Sequence, residues 1–288
     1  MLNLISLLPV VVGQALLPQT LERTPEKGTM DSAESVEQYN GVDQSKLAIV
    51  YAAVLERIHR MRRVTEGGQA IDLCCGPGHF TLLLARYFDF ERIVGVDLSE
   101  PMIEKARERA EEAGLSSRVH FTVGDATHVH YPTGSFDVVT CNDAAHHMPD
   151  LGMVEKLFLE MERLSSGKGI CILSDLVRLK SESITNRYTS VIGRDYPKHF
   201  YTDFCNSMRA AWRPDELASI LPKTQQKRWQ HESQSILPIV QYAYGVPYDD
   251  HPFFQQRVSM WNNNSHPVPQ NMIAKRKIYR TLFGVRSR

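Results

Sequence analysis

The chain has 288 residues, 42% of them hydrophobic, which suits one domain with additions and a sizeable core. Its 33 basic and 33 acidic residues cancel, and a pI near 7.2 excludes a protein that grips nucleic acid through overall charge. Cys74, Cys75, Cys141, Cys171 and Cys205 form no Cys-x-x-Cys pair and show no metal-ligand spacing, so they read as buried thiols of a reducing, cytoplasmic compartment. Cys141 as a nucleophile is the weaker reading.

Residues 1–18 are apolar and carry no charged side chain, which raises a signal peptide or an anchor. The stretch lacks a basic leader, Pro9 and Gly13 interrupt it, and it is short for a membrane span. A helix packed on the body, or an upstream start before Met30, accounts for it better, and no membrane insertion is expected. Residues 1–40 are thus expected as an N-terminal extension or cap. A helix over 45–63 follows, with an apolar face at Leu47, Val50, Tyr51, Val54, Leu55 and Ile58.

The next segment, QAIDLCCGPG over 69–78, reads as a buried strand entering a glycine turn, and HFTLLLARY over 79–87 reads as the helix that leaves it. Gly76 and Gly78 open backbone angles closed to other residues and bring the main chain close to a ligand at a helix start. A second strand over 92–96 ends at Asp97, about 20 residues beyond the turn, where an acid can accept from both ribose hydroxyls. Ser99 caps a helix over 101–113 with Pro101 in its first turn and Gly114 past its end. A third strand over 119–123 ends at Gly124, Asp125 and Ala126, and a fourth over 136–141 runs into Asn142. Four strand ends with polar or glycine residues on one edge of an open α/β sheet mark a ligand crevice. Strand–helix alternation from Thr65 onward predicts a doubly wound, mostly parallel sheet with helices on both faces.

Taken together, DLCCGPG, GVDLSEPMIEKAR, VGDA and FDVVTCNDAAHHMPD resemble the class I S-adenosylmethionine-dependent methyltransferases. The clear motifs span about 69–176, with looser similarity over about 21–222. The resemblance implies a seven-stranded Rossmann-like sheet with an inserted helical lid, a methyltransferase domain over 41–236 with the lid at about 176–213, and a C-terminal extension over 237–288. It implies S-adenosylmethionine as cofactor, held by the loop Asp72, Cys74, Gly76 and Gly78, by Asp97 at the ribose, by Met102, Asp125 and Ala126 around the adenine, and by Leu98 and Asn142. Cys74 stands where the family usually has its first glycine. Simple packing of Met102 on the sheet, and strand ending by Asn142, explain those two residues equally well.

The segment NDAAHHMPD leaves the fourth strand beside the glycine turn, so His147, His146 and Asp143 are the candidate catalytic groups. Packing of one histidine under the cofactor and capping by Asp143 are the competing readings. Tyr39, Asp175 and Tyr201 are candidates to face the acceptor. His128 and His130 lie two apart on a polar loop with no further ligands in sequence, so no metal is expected. Helix 154–164, a turn at 165–169, strand 170–174, a helix from Trp212 to Pro222 and a sixth strand over 225–236 complete the expected elements. Residues 176–213 mix aromatic and charged side chains, as either a lid or an exposed helical hairpin would. Residues 271–288 hold Lys275, Arg276, Lys277, Arg280, Arg286 and Arg288 without an acid, as a solvated or packed terminal helix would.

These features point to a methyl transfer to an oxygen, nitrogen, sulfur or carbon atom of a small molecule or peptide. A nucleic-acid acceptor is disfavoured, and a homodimer stays possible. A cofactor-binding scaffold without catalysis is the alternative. A nicotinamide-dependent reductase fits less well, because Thr81 occupies the place of the third dinucleotide glycine.

Overall fold

The computed structural model describes residues 4–26, 48–61, 67–234, 239–248 and 285–287. A short apolar helix, α1 (Leu8–Leu16), and a longer one, α2 (Ala48–Met61), precede the alternating region. That region runs β1 (Gln69–Leu73), α3 (His79–Tyr87), β2 (Arg92–Asp97), α4 (Glu100–Glu112), β3 (Val119–Val123), β4 (Phe136–Asn142), α5 (Leu151–Leu164) and β5 (Ser165–Leu176). A helical pair, α6 (Glu182–Ile192) and α7 (Lys198–Ala210), and the short α8 (Pro214–Ser219) come before β6 (Lys227–Gln234), β7 (Val240–Pro247) and β8 (Val285–Ser287).

The strands form one sheet in the order β3-β2-β1-β4-β5-β7-β6-β8. The first five are parallel and the last three antiparallel to their neighbours. The seven expected strands are present, and β8 adds a short eighth at the β6 edge. β7 lies beyond residue 236, where an extension is expected, yet it sits inside the sheet between β5 and β6. Its sequence, VQYAYGVP, is buried throughout, so composition shows no alternation to mark it. The expected turn at 165–169 is instead the start of β5, which pairs with β4 across an irregularity at Phe136 and Val138.

Three helix starts have a local side-chain cause. The Ser99, Asp150 and Ser181 side chains accept from the Met102, Met153 and Ile184 amides and cap α4, α5 and α6. Strand residues alternate between two cores. Ala70, Ile93, Val138 and Ile172 face α2, α3 and α4, while Ile71, Val94, Val139 and Leu173 face α5 and α8. Burial of each such valine, isoleucine or leucine side chain contributes about 1.5–3 kcal/mol. A third cluster joins Leu7 and Val10 of the N-terminal segment to Leu179, Ile184, Tyr188 and Met208, so α1 packs on the helical pair. Among the described residues no helix is long and apolar enough to cross a membrane. Tyr39 and most of the basic tail lie outside the described residues.

Candidate functional site

Parallel pairing carries the ends of β1, β2, β3, β4 and β5 to one edge of the sheet, where the glycine loop lies. Cys74 takes φ +54°, Gly76 φ +51° and Gly78 φ +79°. Cys74 therefore adopts the left-handed angle its glycine counterpart would, at a cost of roughly 1–2 kcal/mol, and the loop closes despite the larger residue. The Cys75 amide donates to the Val96 carbonyl at 2.9 Å and the Gly78 amide to that of Cys75 at 3.1 Å. Arg109 Nη1 reaches the Pro77 carbonyl at 3.0 Å. The two glycines serve different ends. A Cβ on Gly78 would meet Phe121 at 2.8 Å and Ala106 at 3.0 Å, whereas one on Gly76 would meet nothing within 4 Å. Gly78 is needed for packing, and Gly76 borders open space.

Asp97 ties this loop to β2. Its Oδ2 accepts from the Gly76 amide at 2.7 Å and its Oδ1 from the Ser99 amide at 3.0 Å, so each oxygen keeps a lone pair for a further donor. Burial raises its pKa, opposed by these amides and by His147. Leu98 is 64% exposed at the same edge, while Met102 is buried in the first turn of α4. Asp125 is exposed, with its Oδ1 accepting from the Thr127 amide and hydroxyl at 2.8 Å, and Ala126 is buried behind it.

Asp72 lies one layer below. It is 2% exposed and accepts from Thr81 Oγ1 at 2.7 Å, from Thr140 Oγ1 at 2.8 Å and from Asn142 Nδ2 at 3.4 Å. Burial pushes its pKa up to about 6 against those three donors. Asn142 in turn accepts from Ser174 Oγ at 2.9 Å. Asp72 and Asn142 thus brace the strand ends from inside. Thr81, conspicuous in the sequence for replacing a glycine, is there to bind this carboxylate. Thr140 and Ser174 carried no signal in the sequence.

The chain leaves β4 through Asp143, which has φ +50°. Its amide donates to the Ser174 carbonyl at 2.9 Å, and its buried Oδ1 has no hydrogen-bond partner among the described residues. It is not a helix cap; Asp150 caps α5. Burial, then repulsion from Asp175, pushes its pKa up to about 7, with His147 opposing. Asp175 does not face solvent: it is fully buried, and its Oδ1 lies 2.6 Å from His146 Nδ1. His146 is therefore held from behind by Asp175. The His147 ring packs against that of His146, with centroids 4.1 Å apart and planes inclined by 39°, and its side chain is 39% exposed. Tyr201 sits in α7, its ring close against Gly193, one turn of chain beyond α6.

A strap from the N-terminal segment covers this loop. Backbone bonds from Thr20 and Leu21 to the Lys180 carbonyl and from Thr24 to that of Arg209 lay it along the helical pair. Arg23 then reaches the carbonyls of His146, Met148, Pro149 and Ala210 at 2.6–3.0 Å and stacks 3.6 Å over the Trp212 ring. Trp212 Nε1 donates to the Ala145 carbonyl at 2.8 Å. Glu26 Oε2 lies 2.5 Å from His147 Nδ1, a pair 121 residues apart in sequence, and Ser207 Oγ donates to Glu26 Oε1 at 2.7 Å. Burial works against the charged imidazole, but the Glu26 carboxylate outweighs it and raises the His147 pKa. Arg23, Glu26 and Trp212 escaped the sequence reading because nothing local marks a contact made across the fold.

A glycine turn over β1, an acid ending β2 and an open space before the loop amides define a nucleoside-binding edge of the doubly wound type. Residues 64–238 match the family described as methyltransferase domain. The chain belongs to that family, whose members it resembles in the class I S-adenosylmethionine-dependent fold. It is 36% identical over 95 residues to the 27-O-demethylrifamycin SV methyltransferase of Amycolatopsis mediterranei, covering 33% of this chain and 35% of the relative. It is 33% identical over 152 residues to phosphoethanolamine N-methyltransferase 1 of Arabidopsis thaliana, covering 53% and 30%. The chain thus spans about a third of the length of each of these relatives. A SAM-dependent methyltransferase structure from Aquifex aeolicus superposes with a TM-score of 0.54 at 15% identity, covering 74% of this chain and 97% of that one, a likeness of fold.

Proposed function

We propose that the protein transfers the methyl group of S-adenosylmethionine to a small metabolite or peptide, and that Asp143 takes the proton an acceptor must lose. The residues present fit this cofactor. Asp97 keeps lone pairs for the ribose, Gly76 leaves room before the loop amides, and the exposed Leu98 and Asp125 flank the place for the adenine. When bound, the cofactor supplies a methyl group already activated on a sulfonium. The chain's own task is to hold the acceptor in line and keep water out. The strap, the His146–His147 pair and the helical pair build that cover.

The observation that carries the proton step is the Asp143 carboxylate. It has an unpartnered buried oxygen, a left-handed backbone angle and a pKa of about 7, which matches a base working near neutrality. His146 is engaged by Asp175 and His147 by Glu26, which makes both worse placed to accept a proton. The small-molecule acceptor is supported by the relatives named for rifamycin and phosphoethanolamine methylation and by the zero net charge.

The test is calorimetric titration with S-adenosylmethionine and S-adenosylhomocysteine, with NADH and NADPH as controls, followed by transfer of labelled methyl to fractionated metabolite and peptide pools. Asp143→Asn is expected to leave cofactor affinity unchanged and to slow transfer about 100-fold or more. An undiminished rate removes Asp143 as the base. Tight cofactor binding with no labelled product from any pool favours the scaffold reading.

A further inference from the structure

We propose that Glu26, His146 and His147 form a site for one borderline divalent cation of the zinc type, which clamps the N-terminal strap onto the loop after β4. The ligand atoms these three side chains offer all lie within 4.8 Å of one another. Two imidazoles and a carboxylate suit zinc-type ions and leave a fourth position open. Around a tetrahedral ion with bonds of about 2.0–2.1 Å, ligand atoms stand about 3.3 Å apart. The Glu26–His147 pair, now hydrogen-bonded at 2.5 Å, opens by less than 1 Å to that spacing, and the cation takes the place of the hydrogen bond.

The groups behind the ligands favour a metal over a plain ion pair. Metal-binding histidines commonly give their second ring nitrogen to a carboxylate, which fixes the tautomer and aims the free nitrogen. Asp175 does this for His146: it is fully buried and engages Nδ1 at 2.6 Å, leaving Nε2 as the ligand atom. Ser207 does the equivalent for Glu26, donating to Oε1 at 2.7 Å and leaving Oε2 toward the imidazole. The tilted contact of the two histidine rings, with centroids 4.1 Å apart, keeps them together. Asp143 acts electrostatically on His147, and Asp203 feels both Glu26 and His147, so further acidic groups offset the incoming charge. Arg23 is the nearby cation, and its guanidinium is committed to the loop carbonyls and Trp212. The other histidine pair, His128 and His130, has ring centroids 5.5 Å apart on an exposed loop and brings no carboxylate into such a cluster among the described residues.

This inference stands apart from the methyl-transfer reading, because it needs neither cofactor nor acceptor. The full chain, stripped with a chelator, is dialysed against Zn²⁺ and its bound metal is counted by elemental analysis. Co²⁺ in place of Zn²⁺ reports tetrahedral coordination by a visible absorption band. One ion per chain is expected, with affinity weakened in Glu26→Gln and in His147→Ala by at least the roughly 10–100-fold that loss of an outer-shell partner alone costs and unchanged in His128→Ala/His130→Ala. No saturable binding overturns the proposal. So does binding that the Glu26 and His147 variants keep, or that the His128/His130 variant loses. Circular dichroism and S-adenosylmethionine titration on the same samples separate the outcomes. Metal without cofactor binding removes only the methyl-transfer reading, and cofactor without metal removes only this one.

Discussion

Replacing Asp97 with alanine probes the cofactor edge most directly. The carboxylate is engaged by the Gly76 amide at 2.7 Å and the Ser99 amide at 3.0 Å, with lone pairs left on both oxygens for the ribose hydroxyls that the proposed function places there. Hydrogen bonds to a charged group contribute about 1.5–3 kcal/mol each, so losing two ribose bonds costs about 3 kcal/mol or more. That corresponds to an affinity for S-adenosylmethionine or S-adenosylhomocysteine at least about 100-fold weaker. The same substitution leaves the Gly76 amide without its partner and lowers stability by roughly 1–3 kcal/mol. Asp97→Asn separates the effects, because its remaining oxygen still accepts while its amide nitrogen cannot. Calorimetric titration gives the affinity and thermal melting the stability. If Asp97→Ala binds either ligand within about threefold of the parent while remaining folded, the ribose assignment is wrong.

The two loop glycines are expected to respond differently. Gly78→Ala drives a methyl into Phe121 and Ala106 and destabilises the fold strongly, while Gly76→Ala meets no neighbour and costs only the roughly 1–2 kcal/mol of its left-handed φ of +51°, with weaker cofactor binding; melting and titration of both variants check this. Asp72 predicts a pH effect on stability. Its folded pKa of about 6 lies above the unfolded value of 3.8, so its contribution is fully present below about pH 4 and is lost as pH rises through about 6. The stability difference between the parent and Asp72→Asn should shift by roughly 3 kcal/mol across that window, and a flat difference in denaturant titrations would refute the burial argument. Arg23→Ala removes four carbonyl contacts and the stack on Trp212. Amide exchange should then quicken together in residues 20–26 and 144–149, and unchanged protection in either segment would sink the clasp.

Much of the fold was legible in the chain because its signals are local. The apolar run ending in CCGPG, the cap at Ser99 and the apolar strands between helices each depend on neighbours in sequence. For that reason α3 and β3 stand where the sequence places them. Asp97 reaching the glycine loop likewise follows from strand ends that parallel pairing must bring together. β7 was missed because a uniformly buried strand with tyrosines and a glycine carries no period to read.

The sequence by itself determined the class of fold, the sheet edge where the strand ends meet the glycine turn, and the residues that leave β4. Only the tertiary structure decided what surrounds those residues. It turned Asp175 inward to hold His146, left Asp143 with an unpartnered oxygen, gave Cys74 a glycine's backbone angle, and brought Glu26 and Arg23 across more than 120 residues onto the histidine loop. The physical reason is range. Helix periods, caps and turns act over a few residues and are written in local sequence. Burial, charge and hydrogen bonding between distant segments exist only once the sheet and its helices have packed.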